Sequence, residues 1–137
     1  MNMTDEMMKS MPMAEMPMGM DMMAMQEAIE ACSACMQACT MCSDAMSGME
    51  GMGRCASMCA NCADMCTTMM HVMMRPMGMD MTSMMAMLEA CIAMTKACRD
   101  ECMSHAAMSE TCRMCAQACE VAMNACMKVL ASMTAMA

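Results

Sequence analysis

Cys32, Cys35, Cys39 and Cys42 follow one another at gaps of three, four and three residues. On a helix, those gaps hold all four thiols within an arc of about 80°. The stripe recurs at Cys55, Cys59, Cys62 and Cys66, at Cys91, Cys98 and Cys102, and at Cys112, Cys115, Cys119 and Cys126. All fifteen cysteines of the chain belong to one of these four stripes. Thiols at i and i+3 or i+4 have Cβ atoms about 5–6 Å apart, near enough for one metal ion to bridge them. Their directions do not favour a disulfide, and an odd number of cysteines argues against a disulfide scaffold. The chemistry on offer is soft-metal ligation, since thiolate and thioether donors select Cu(I), zinc or iron–sulfur clusters.

Those three can be told apart on the residues. Ferredoxin spacing (C-x₂-C-x₂-C-x₃-C-P) is absent. Zinc asks for four-sulfur cages and has no use for the 37 methionines. Cu(I) is content with two or three sulfurs, and one Cu(I) per thiolate leaves a buried interior close to neutral. A thiol redox enzyme would use one distinguished pair rather than fifteen equivalent sulfurs, and there is no phosphate loop or nucleophile–base pair. The reading is a binding protein, not an enzyme, with multiple Cu(I) ions as its ligand. A helical metallothionein-like zinc or cadmium buffer is the alternative of the same class. A non-metal, Met-rich structural or interaction module is the alternative of another class.

The elements that must position the thiols are helices. The chain of 137 residues has no Phe, Tyr or Trp, and its branched aliphatics are Ile29, Val72, Leu88, Ile92, Val121, Val129 and Leu130. Cysteine stands where a bundle ordinarily places leucine, and it is too small to fill such a core alone. The net charge of −8 disfavours nucleic acid and anionic membrane surfaces as partners. No run of apolar residues is long enough to span a membrane. Without a recognisable signal sequence the expected compartment is the cytoplasm; an exported form would need a signal removed from this sequence.

Residues 1–20 are rich in Met-X-Met steps with Pro12, Pro17 and Gly19, and read as a flexible tail. Residues 21–137 read as an all-α, antiparallel four-helix bundle with cysteines lining the core. Asp21 caps a helix over about 22–47, and Gly48, Gly51 and Gly53 make a turn. A second helix runs to about Met74, where Arg75-Pro76 stops it. A third starts at Asp80 or Thr82 and reaches about His105, and a fourth starts at Ser109. Pro17-Met18-Gly19-Met20-Asp21-Met22 recurs as Pro76-Met77-Gly78-Met79-Asp80-Met81, which points to a duplicated helical hairpin. Antiparallel stacking then groups Cys42, Cys55, Cys102 and Cys112 at one end of a sulfur-lined tube. Cys32, Cys66, Cys91 and Cys126 group at the other.

Four Cys-striped helices with these Cys-x₃-Cys and Cys-x₂-Cys pairs resemble the bacterial copper storage proteins. The resemblance covers residues 25–135. It implies a four-helix bundle holding many Cu(I) ions on inward cysteines, and assembly into a homo-oligomer. A copper chaperone or a copper-requiring enzyme is the implied exchange partner. The chain departs from that pattern at Met94 and at Ala122/Met123, where cysteine is expected, and Met94 is counted with the ligands. Met25, Met69, Met73, Met84, Met87, Leu88, Leu130 and Met133 continue the stripes past Cys32 and are expected to plug that end. At the opposite end His105, Met46, Met52 and Met108 are expected to converge as a mouth of weaker ligands. His71 falls off the stripe and is expected on the surface.

Overall fold

The computed structural model describes residues 3–11 and 21–135, and among them the only regular secondary structure is helix. Helix α1 spans Met3–Ser10, α2 Met22–Ser47, α3 Gly53–Met73, α4 Met81–Met103 and α5 Glu110–Thr134. A short 3₁₀ turn at Pro76–Gly78 separates α3 from α4.

Local chemistry sets the ends of the long helices. The Asp21 carboxylate accepts from the Ala24 N–H at 3.0 Å, Asp80 from Ser83 at 2.9 Å, and the Ser109 hydroxyl from Cys112 at 3.1 Å. Each satisfies one of the orphan amides of a first helical turn. Helix α3 has no side-chain cap. It is entered instead through a turn in which Gly51 adopts φ +78°, a conformation a side chain would strain.

Helices α2, α3, α4 and α5 form a ring in which each packs on its two neighbours, and the α3–α4 seam is the most loosely packed of the four. All fifteen cysteines face the axis, none more than 1 % exposed. Beyond Cys32 and Cys66 the axis is filled by Met25, Met69, Met73, Met84, Leu88 and Met133, all buried. Two residues expected in this plug stand elsewhere. Leu130 is half-buried and Val129 takes the inward place, three residues after Cys126. Met87 is half-buried and lines an outer groove between α3 and α4.

Helix α1 was not expected. Asp5 and Glu6 in its first turn and Lys9 in its last suit the helix dipole. Met8 is 2 % exposed and joins the common apolar core. Met8 borders Met22 and Met23 at the start of α2, while Thr4 borders Ile29 of α2, Met70 of α3 and Met74 just past its end. A thioether able to reach existing apolar surface therefore orders part of a segment whose composition suggested a tail. Residues 12–20 of that segment lie outside the described residues. Among the described residues no helix is long and apolar enough to cross a membrane.

Candidate metal centre

The thiols meet in five groups, within each of which the sulfurs lie within 4.8 Å of one another, and four of the five share members. Cys32, Cys91 and Cys126 form the deepest, beside the methionine plug. Cys35, Cys39, Cys62 and Cys119 come next, then Cys39, Cys98, Cys115 and Cys119, then Cys42, Cys59, Cys102 and Cys115. Cys42, Cys55 and Cys112 close the column at the other end. Every cysteine except Cys66 belongs to at least one group, and Cys39, Cys42, Cys115 and Cys119 each belong to two.

The sulfur separations suit bridging. Cys39 lies 3.6 Å from Cys115 and 3.7 Å from Cys119; Cys59 lies 3.6 Å from Cys102; Cys32 lies 3.8 Å from Cys126. With metal–thiolate bonds of about 2.3 Å, three sulfurs around one ion stand about 4 Å apart. The column therefore needs little rearrangement to accept metal. Three groups have four sulfurs, the number zinc would use, so count alone does not separate the metals. Four of the five groups share sulfurs, and a thiolate common to two groups is placed to bridge two ions.

Without metal the column is a store of protons. Burial pushes the Cys42 thiol up to about 12, and burial also raises Cys55. Hydrogen bonding with Cys119 and then Cys39 draws Cys35 down to about 6, which makes it a thiol that ionises early.

Two positions interrupt the column. On α4 the seven-residue gap between Cys91 and Cys98 is filled by Thr95, wholly buried, and not by Met94. The Thr95 hydroxyl donates to the carbonyls of Cys91 at 2.8 Å and Ile92 at 3.0 Å, so its polarity is satisfied within its own helix. Met94 is half-buried in the outer α3–α4 groove, about 100° of helix rotation from Thr95. On α5 the matching gap is filled by Ala122, while Met123 sits at the edge beside the Arg99 guanidinium at 3.8 Å. The gap of seven signalled that one residue within it faces inward, without saying whether Met94 or Thr95.

At the Cys42/Cys55/Cys112 end the expected residues divide. Met46 is 3 % exposed and its Sδ lies 3.7 Å from Cys112 Sγ. Met52 is half-buried and packs against the core. His105 is half-buried, but its Nε2 is held by Glu101 at 2.8 Å. Met108 does not join them; it lies in the turn after α4 and is 93 % exposed. Glu101 also accepts from Arg54 Nε at 2.8 Å, and its carboxyl is held below the usual range first by His105 and then by Arg54. The i, i+4 placement of Glu101 and His105 was readable in the sequence; the arrival of Arg54 from α3 was not. His71 is exposed.

Residues 21–131 match the family model described as copper storage protein. The chain belongs to the copper storage protein family. Solved copper storage proteins share its fold at close range. The structure of Ccsp from Streptomyces lividans loaded with 10 copper equivalents is 37% identical over 94% of this chain and 98% of that one, with a TM-score of 0.89. A histidine-to-alanine mutant of Ccsp is 41% identical over 84% and 98%, with a TM-score of 0.81. A structure of copper loading, with five coppers, to a cytosolic copper storage protein from the same organism is 41% identical over 79% and 92%, with a TM-score of 0.77. No curated protein matches the chain in sequence. Within the family frame, the shared-sulfur column just described is the part of the chain suited to copper.

Proposed function

We propose that the protein stores copper as Cu(I) in the cytoplasm, as a binding protein and not an enzyme. Its ligands are the thiolates of Cys32, Cys35, Cys39, Cys42, Cys55, Cys59, Cys62, Cys66, Cys91, Cys98, Cys102, Cys112, Cys115, Cys119 and Cys126. The observation that carries this reading is the run of fully buried sulfur groups along one axis, four of which share thiols. A column of shared thiols accepts many monovalent ions, each neutralising one thiolate as it displaces one proton.

Copper enters at the end formed by Cys42, Cys55, Cys102 and Cys112. Met46, Met52 and His105 stand there as weaker ligands that can take an ion and pass it inward. The other end offers no such path, because Met25, Met69, Met73, Met84 and Met133 fill it. In the same reading residues 21–137 are the storing domain. The protein assembles into a homo-oligomer and exchanges copper with a chaperone or a copper-requiring enzyme.

Anaerobic titration with Cu(I) against a competing chelator tests the proposal. Uptake of many equivalents, of the order of the cysteine count, with proton release, is the expected result. An endpoint at one or two equivalents overturns it. Zinc is the second reading, favoured by the three four-sulfur groups; metal analysis of the anaerobically purified protein distinguishes the two.

A further inference from the structure

Outside the thiol column, a groove of about 380 Å³ runs along the α3–α4 seam, lined by Asn61, Asp64, Met65, Thr68, Met87 and Met94. Its α3 residues recur at three- and four-residue steps, so they form one stripe, and Met87 and Met94 stand two turns apart on α4. The helices run antiparallel, with Cys59 and Cys98 in contact at 3.8 Å, so Met65 falls between the heights of Met87 and Met94.

All three methionines are half-buried and pack against the core. Residues seven apart on a helix are about 10 Å apart along its axis, a span that two flexible thioether side chains reaching towards each other can close. Asp64 adds a carboxylate at the rim, exposed and in the same groove.

We propose that this groove is a thioether site for a soft monovalent cation, Cu(I) in the cell, separate from the thiol column. Thioether sulfur selects such ions, and Asp64 offsets their charge. Among the clefts described, this groove joins three thioethers to a carboxylate with no basic side chain in its lining, whereas Lys9 lines the cleft of Met8, Met22 and Met23, and the cleft of Met79, Met84 and Met87 holds both Arg75 and Asp80. A third cleft, with Met70 and Met74, offers two thioethers rather than three.

The seam fits the role, being the loosest in the ring and backed by Cys62, Cys66 and Cys91 at the same height. A neutral thioether releases no proton on binding, so the site fills without regard to pH, unlike the thiols.

The test uses the full chain with ¹³C-labelled methionine methyl groups. Its thiols are first filled with Cu(I), a step read separately from thiolate–copper absorbance, so failure of the storage reading would show there. Further Cu(I) is then added as its acetonitrile complex. The methyl signals of Met65, Met87 and Met94 are expected to shift together on one binding curve, unchanged between mildly acidic and neutral pH. Met87→Leu, which conserves volume, is expected to weaken the response of Met65 and Met94 by about tenfold. Three unrelated curves, shifts no larger than those of exposed Met23 and Met41, or a response indifferent to Met87→Leu would overturn the proposal.

Discussion

Cys39 on α2 and Cys119 on the neighbouring α5 meet at 3.7 Å, and this pair is the edge shared by two four-sulfur groups. Loss of either thiol should therefore damage both groups at once. Cys39→Ser is expected to lower Cu(I) capacity by about two equivalents, whereas Cys66→Ser, which belongs to no such group, lowers it by about one at most. Titration of the two variants side by side measures the difference. Equal losses would show that the thiols bind independently.

Thr95 offers the complementary experiment. It holds the inward place between Cys91 and Cys98, and its hydroxyl bonds only within α4. Thr95→Cys should raise capacity by about one equivalent and should leave the fold intact, since the two side chains are close in size. Unchanged capacity would mean that the deep set of Cys32, Cys91 and Cys126 is already joined to its neighbours.

The protonated column sets the alkaline limit of the empty protein. Cys42, with its pKa raised from the ordinary 9.0 to about 12, favours the fold while it keeps its proton. That contribution is intact below pH 9.0 and is lost as pH climbs through about 12. The melting temperature of the apoprotein should fall over that window, and that of the copper-loaded protein should fall less. Loading should also raise the melting temperature strongly at neutral pH, because Cu(I) binds the folded column. Melting curves with and without copper across pH check both statements.

At the mouth, Met46 touches Cys112 whereas Met108 stands in solvent. Replacing Met46 and His105 together by Leu should slow both loading and chelator-driven removal without changing final capacity. Met108→Leu should change neither rate. Glu101→Gln should alter the loading rate as well, because the histidine loses the carboxylate that holds its Nε2. Stopped-flow uptake of Cu(I) compares the four proteins.

Deleting residues 1–20 should leave capacity nearly unchanged, since no thiol is removed. It should lower the melting temperature modestly, because the buried Met8 contact is lost. A large loss of capacity would show that thioethers of the segment are storage ligands.

Much of the architecture was legible because cysteine marked the inward face at every turn. The three caps at Asp21, Asp80 and Ser109 and the stop at Arg75-Pro76 lie where local chemistry puts them. What escaped was decided between elements. Whether Met94 or Thr95 would face the axis turns on about 100° of helix rotation, which a gap of seven leaves open. Leu130 yielded to Val129 for the same reason. Met108 was assigned by sequence distance from His105, but the helix ends at Met103 and the turn carries it outward. Helix α1 had no thiol stripe to announce it, and depends on a single methionine finding a place in the core.

The methionine plug has a consequence for the order of events. With copper entering beyond Cys42 and Cys112, as proposed, an axis closed at its other end by Met25, Met69, Met73, Met84 and Met133 gives every ion one way in and the same way out. Such a column behaves as a stack, not a queue: the last ion to arrive is the first to leave. Age is then written as depth, with the oldest copper beside Cys32, Cys91 and Cys126. A brief pulse of isotopically heavy copper, given to a nearly full protein, would leave again almost whole with the first ions withdrawn.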